Sequence, residues 1–308
     1  MLRATMATFT AGIGGADSLT VLPHSIAHGL PDAFARRIAR NTQTILLEES
    51  NLWRVADPTA GAGATEALTD ELCQTAWAQF QEIEREGGLV ASLTDGAIQA
   101  RIAAVASDRA KRLATRREPI TGTSEFPQLD EPSTGVLDVE PAERMHVQGG
   151  ALVVPPLPSM RLAEPYEALR DAADAHLATA GTRPTVFLAN LGPLAEHTAR
   201  AMWITNLLAA GGIDVASNEG FTNSAEAGAA FTASGARLAC ICSSDANYES
   251  LGEATASLLK SAGAEHVMLA GKPSDTLSAA GVDEFLHVGV DVLAALAGLH
   301  KKLGTPHV

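Results

Sequence analysis

His24 and His28 stand four residues apart, the spacing at which a helix turns two imidazoles toward one zinc ion. The residues between them, Ser25-Ile26-Ala27, lack the Glu that would act as general base, and the preceding Pro23 suggests a loop at a strand end. Structural or solvent-facing histidines are therefore expected. Cys240 and Cys242 are two apart in an apolar run, so on a strand they share one face and read as packing residues. With Cys73 they make three thiols, too few for a disulfide framework and without the C-x-x-C form of redox or zinc sites, which points to a reducing compartment. Gly12, Gly14 and Gly15 do not form G-x-G-x-x-G and read as a turn before a strand. His197, in Gly192-Pro193-Leu194-Ala195-Glu196-His197, is expected to be an exposed loop histidine.

These residues need a scaffold, and composition limits which. At 308 residues the chain has room for roughly two domains. Hydrophobic residues make up 46% but aromatic ones only 4%, so the interior is filled with Ala, Val, Leu and Ile, the usual material of α/β layers. The net charge of −14 would repel a phosphate backbone or an anionic membrane, which argues against nucleic acid or membrane partners. No stretch approaches the roughly 18 apolar residues of a membrane span, and the first residues carry no signal-peptide pattern. A soluble, cytoplasmic protein is expected.

Three regions separate by pattern. Residues 1–114 hold two extended runs, Ser18–Leu22 and Arg54–Pro58, among helices. A helix from Pro31-Asp32 places Phe34, Ile38, Ile45 and Leu46 on one stripe, with Arg36, Arg37 and Arg40 off it. Another runs from Thr69 toward Glu86 and stops at Gly87-Gly88, and a third begins at Thr94-Asp95 and ends near Lys111-Arg112. Residues 115–182 read as a linker, because eight of the chain's 15 prolines fall between 115 and 165. Residues 183–308 alternate strand and helix: Thr185–Ala189, Asp214–Ala216, Leu238–Cys242, His266–Ala270 and Glu284–Val288 are expected as buried parallel strands. This is a flavodoxin-like, doubly wound sheet, with any ligand outside the carboxyl ends of the strands. Two strands cannot close a barrel, so the first region either docks on another chain or belongs to a larger domain that begins upstream of Met1.

Gly15-Ala16-Asp17-Ser18-Leu19 is followed by Ala35-Arg36-Arg37-Ile38-Ala39-Arg40-Asn41-Thr42-Gln43, Glu48-Glu49-Ser50, Asp57-Pro58 and Glu66-Ala67-Leu68-Thr69. Together these resemble the last two strand-helix units of the barrel in the methylmalonyl-CoA mutase family. Ile120-Thr121-Gly122, Ser124-Glu125-Phe126-Pro127 and Arg161 with Glu164-Pro165-Tyr166-Glu167 resemble that family's connecting segment, and the final domain resembles its cobalamin-binding domain. The resemblance implies the carboxyl-terminal part of a TIM-type barrel over 1–114, the linker, and a flavodoxin-like domain of cobalamin-binding type over 183–308.

It further implies an adenosylcobalamin enzyme that interconverts methylmalonyl-CoA and succinyl-CoA, in which the barrel holds the acyl-CoA. The family's principal catalytic Tyr and His lie in barrel units that precede this stretch. Its D-x-H-x-x-G cobalt-ligand motif fails here in either register: Leu194, Glu196 and Ala199 replace Asp, His and Gly, and sliding to His197 leaves Ala195 and Arg200 at the other two positions. In the barrel, Thr20, Leu22, Ser25 and Ile26 replace the family's His, Asn, Asp and Glu, and both aromatic residues after Asp57-Pro58 are lost. Glu49, Ser243, Ser244 and Gly271 are the vestigial cofactor-facing positions that remain. The resemblance thus implies a small, non-catalytic subunit, inactive alone and not itself holding adenosylcobalamin. Its partner would be a catalytic large subunit in a heterodimer, and it would meet acyl-CoA only through that complex. Two alternatives stay open: an active cobalamin-dependent acyl-CoA mutase using His197 or the Ser243-Ser244 pocket, and a regulatory module descended from the same subunit.

Overall fold

The computed structural model describes residues 1–132, 134–140 and 152–305; part of the expected linker, residues 133 and 141–151, lies outside them. The chain divides into two compact units, Met1–Gln99 with Pro132–Pro156, and Ala100–Glu131 with Leu157–Val308.

The first unit contains α1 (Leu2–Ile13), β1 (Leu30–Pro31), α2 (Ala33–Thr44), α3 (Gly63–Arg85), α4 (Leu89–Thr94) and β2 (Val136–Leu137). Asp32 caps α2 by accepting a hydrogen bond from the Ala35 backbone N–H at 2.8 Å, as a short acidic side chain does at a helix start. Ala35 and Ala39 form the buried face of α2, whereas Phe34 and Ile45 of the expected apolar stripe are exposed. The two expected strands, Ser18–Leu22 and Arg54–Pro58, join no ladder among the described residues. A strand is stable only when a neighbour satisfies its backbone groups, and the described residues of this unit offer none there. Its ladder among the described residues is antiparallel, Leu30 opposite Leu137 and Pro31 opposite Val136. Thr94 ends α4 instead of starting the next helix, and α3, 23 residues long, buries no residue.

α5 (Ala97–Ala114), in which the division falls, leads into the second unit, with α6 (Glu164–Ala180), β3 (Thr185–Asn190), α7 (Leu194–Ala210), β4 (Asp214–Ala216), α8 (Ser224–Ser234) and β5 (Leu238–Cys242). α9 (Asp245–Asn247), α10 (Glu253–Ser261), β6 (His266–Ala270), α11 (Asp275–Ala279), β7 (Glu284–Leu286) and α12 (Val292–Leu303) complete it. The five strands are parallel in the order β4-β3-β5-β6-β7, the flavodoxin-like order expected from the alternation of strand and helix. The pleat sends Val186, Leu188, Cys240 and Cys242 into one core layer and Phe187, Ala189, Ala239 and Ile241 into the other. Each fully buried Leu or Ile contributes roughly 1.5–3 kcal/mol, so both faces hold the sheet.

Much of what reads as linker belongs to this unit. Tyr166, Leu169, Ala172 and Ala173 of α6 are buried in its interior, and the Tyr166 hydroxyl donates to the Leu113 carbonyl oxygen at 3.0 Å. Burial first of all pushes that phenol up to about 12. The segment 116–129 is tied down by side chains: Asn206 accepts from the Phe126 N–H at 2.8 Å, and Arg170 and Arg183 donate to the carbonyls of Gln128 and Leu129, each at 2.8 Å. Arg116, with a φ of 56° and only 7% of its side chain exposed, lies 2.7 Å from Glu125. None of its guanidinium nitrogens meets hydrogen-bond geometry, so this contact is charge against charge.

Candidate functional site

In a doubly wound sheet the crevice outside the carboxyl ends opens where the strand order reverses, here between β3 and β5. The loop after β3 turns at Gly192, whose φ of 77° suits glycine, and α7 starts at Leu194 with Glu196 in its first turn. After β5, Ser244 caps α9 by accepting from the Asn247 N–H. Ser243 is wholly buried, and its hydroxyl donates to the Leu191 carbonyl oxygen at 2.6 Å.

Asn247 closes the crevice between these loops. Its carboxamide nitrogen lies 2.8 Å from Ser243 Oγ and 3.4 Å from the Leu191 oxygen, and it also donates to the Glu196 carboxylate. The fit is tight enough that a Cβ on Gly192 would meet Asn247 and come within 2.8 Å of Glu196 Oε2. Next to it the Tyr248 hydroxyl accepts from the Ser243 N–H and donates to the Ala270 carbonyl oxygen, both at 2.9 Å. Burial above all, and then the Cys242 thiol, push this phenol far above its usual range, so it stays protonated and holds backbone. Gly271 lets the ring approach, since a Cβ there would stand 3.3 Å from Tyr248 Cε2 and 2.9 Å from Leu269 Cδ2.

Arg200 of α7 lies over the Tyr248 ring, 4.9 Å from its centroid. Its guanidinium donates to the Ser243 carbonyl oxygen at 2.6 Å and pairs with Asp245 at 2.5 Å. Burial works against the charge, but the hydrogen bonds to Asp245 and Tyr248 outweigh it and raise the pKa. Beyond Arg200 a cleft of about 670 Å³ opens over the ends of β5, β6 and β7, lined by Trp203, Tyr248, Gly271, Lys272 and His287 among others. The thiols of Cys240 and Cys242 face the core, and burial pushes that of Cys240 well above its usual range.

Three of the four residues singled out in the sequence, Ser243, Ser244 and Gly271, come together at this end of the sheet, but as structural groups. Glu49 lies in the first unit, exposed at the end of the π-helical turn Ile45–Glu49. His197 corrects the expectation of an exposed loop residue. It lies on α7, 2% exposed, with Nδ1 3.2 Å from the Gly192 carbonyl oxygen, because the helix starts three residues earlier and turns it inward. His24 and His28 are exposed in a turn. Among the described residues no cluster of His, Cys, Asp and Glu is placed to hold a metal ion, and no helix is long and apolar enough to cross a membrane. Asn247, Tyr248 and Arg200 were not singled out in the sequence; the Ser244-x-x-Asn247 cap spacing was the one local signal available.

Residues 1–167 match the family model described as Methylmalonyl-CoA mutase. The chain is 50% identical over 306 residues to the methylmalonyl-CoA mutase small subunit of Streptomyces virginiae, covering 99% of this chain and 47% of that protein. With the small subunit of Propionibacterium freudenreichii subsp. shermanii it shares 37% identity over 310 residues, 99% of this chain and 46% of the relative. A methylmalonyl-CoA mutase of Cereibacter sphaeroides matches at 35% over 140 residues, which is 46% of this chain and 20% of that protein. The chain thus spans about half the length of the small subunits it matches.

Proposed function

The chain belongs to the methylmalonyl-CoA mutase family, and from that premise we propose that it corresponds to the carboxyl-terminal part of a small, non-catalytic mutase subunit. The observation that carries this reading is 50% identity across 99% of the chain to a small subunit, beside a match confined to 46% of it for the Cereibacter enzyme. Its task is to pair with a catalytic large subunit in the cytoplasm and to stabilise it for the interconversion of methylmalonyl-CoA and succinyl-CoA.

The first unit, in this reading, supplies the last two strand-helix units of a TIM-type barrel. Support comes from Ser18–Leu22 and Arg54–Pro58, which stand extended or turned without ladder partners among the described residues. Leu68, Leu72, Trp77 and Phe80 of α3 are likewise uncovered, apolar side chains that call for neighbours.

The second unit is a cobalamin-binding-type domain whose residues do not fit a corrin. A bound adenosylcobalamin supplies radical chemistry in this family, and its hold on such a domain requires a free histidine and an open crevice. Here Glu196, Asn247 and Ser243 bond to one another across the crevice, and His197 is buried against Gly192. Adenosylcobalamin therefore belongs to the large subunit, and acyl-CoA reaches this chain only through the complex.

Co-expression of the tagged chain with a mutase large subunit tests the reading. The expected result is co-purification, with no isomerase activity in the isolated chain. A histidine-ligated corrin spectrum after mixing the isolated chain with cobalamin would overturn it.

A further inference from the structure

Arg36 and Arg40 lie one turn apart on α2, and both line a cleft of about 280 Å³ whose opposite wall is the extended segment Leu19–Pro23. The size lies at the lower limit for ligand pockets, which suits a small charged group more than a drug-sized molecule. Several other arginines of this acidic chain find carboxylates: Arg109 takes Glu118, Arg161 Glu167, Arg200 Asp245 and Arg237 Glu265. Among the described residues Arg40 has no side-chain partner, and Arg36 has only a hydrogen bond from Nε to the Pro31 carbonyl oxygen at 2.9 Å. That bond leaves the outer nitrogens of Arg36 free.

Two unneutralised guanidinium groups at this spacing repel each other, and Arg36 lies close to the positive end of the helix dipole. An anion in the cleft relieves both. The facing wall adds a donor: the hydroxyl of Thr20 makes no hydrogen bond among the described residues. Gln43, one turn beyond Arg40, donates to the Leu19 carbonyl oxygen at 2.7 Å and pins this segment against the helix. Two guanidinium groups and a hydroxyl lining one cleft match a tetrahedral oxyanion with several acceptor oxygens.

We propose that the cleft between α2 and Leu19–Pro23 is a phosphate-binding site, with Arg36 and Arg40 as ligands and Gln43 as a positioning residue. Titration calorimetry of the full chain at low salt, with orthophosphate in one arm and adenosine 3′,5′-bisphosphate in the other, tests it. Saturable binding is expected, weakened roughly tenfold by Arg36→Gln or Arg40→Gln, abolished by the double variant, and unchanged in Arg37→Gln. Tighter binding of the nucleotide assigns the site to a phosphate ester, and equal or tighter binding of orthophosphate to the free ion. The helical circular dichroism of each variant should equal that of the parent, as the arginines are exposed. No saturable binding in either arm, undiminished binding in the double variant, or an equal loss in Arg37→Gln overturns the proposal.

Discussion

Asn247 Nδ2 lies 2.8 Å from Ser243 Oγ, across the crevice in which the strand order of the sheet reverses. One carboxamide thereby joins the loop after β5 to the first turn of α7, since it also donates to Glu196 and the Leu191 carbonyl oxygen. Asn247→Ala removes the link but leaves the bond from Ser243 to Leu191. We expect a loss of about 1–2 kcal/mol in urea unfolding, with a lower midpoint and an unchanged m value. An unchanged midpoint would show that the crevice is held shut by packing alone.

Arg116 and Glu125 make the most deeply buried ion pair described, and the carboxylate also accepts from Asn206 Nδ2 at 2.6 Å. Arg116→Met leaves that carboxylate without its counter-charge, and Glu125→Gln leaves a buried guanidinium without one. Each should cost about 3 kcal/mol, toward the low end for a buried pair because Glu125 keeps some water. The double variant should cost much less than the sum, the sign of a direct interaction in a double-mutant cycle. Additive losses would mean that the two act separately.

His300 gives unfolding a pH dependence of definite sign. Its Nε2–H donates to the Gly211 carbonyl oxygen at 2.8 Å, so the neutral ring can accept from the Thr305 hydroxyl at Nδ1, also at 2.8 Å. Burial lowers its pKa from 6.5, against the raising effect of the Gly211 bond, and the nearby His176 lowers it further. Between the folded value and 6.5 the unfolded chain binds more protons, so the stability His300 contributes is complete above 6.5 and is lost as pH falls through that window. Melting temperatures from about pH 7.5 down to about pH 5 should drop more steeply in the parent than in His300→Gln. Parallel profiles would remove His300 from the account.

The parallel sheet was legible in the sequence because strands buried on both faces are unbroken apolar runs, as in Leu238–Cys242, and helices alternate with them. The first unit was not, because Ser18–Leu22 has a strand's composition but pairing depends on neighbours that local pattern does not specify. The segment 116–129 misled for another reason. Its proline content describes the backbone, whereas what fixes it are single bonds to Asn206, Arg170 and Arg183, 42 to 80 residues away. His197 depended on where α7 begins, and a shift of a few residues separates a loop from a buried helical face.

Gly220 shows how little room the closed crevice leaves. Its φ of 104° is strained for any residue with a side chain, and a Cβ there would run into the Gly192 carbonyl oxygen and stand 2.8 Å from His197 Cε1. The obstruction is backbone on one side and a buried ring on the other, so neither can swing aside as an exposed lysine would. Gly220→Ala should therefore destabilise by more than the roughly 1 kcal/mol of a conformational penalty alone, to about 2–3 kcal/mol with the overpacking included. Pairing it with His197→Ala separates the two contributions. If the ring is the main obstacle, Gly220→Ala should cost clearly less in the His197→Ala background than in the parent; an equal cost in both would assign the clash to the Gly192 carbonyl.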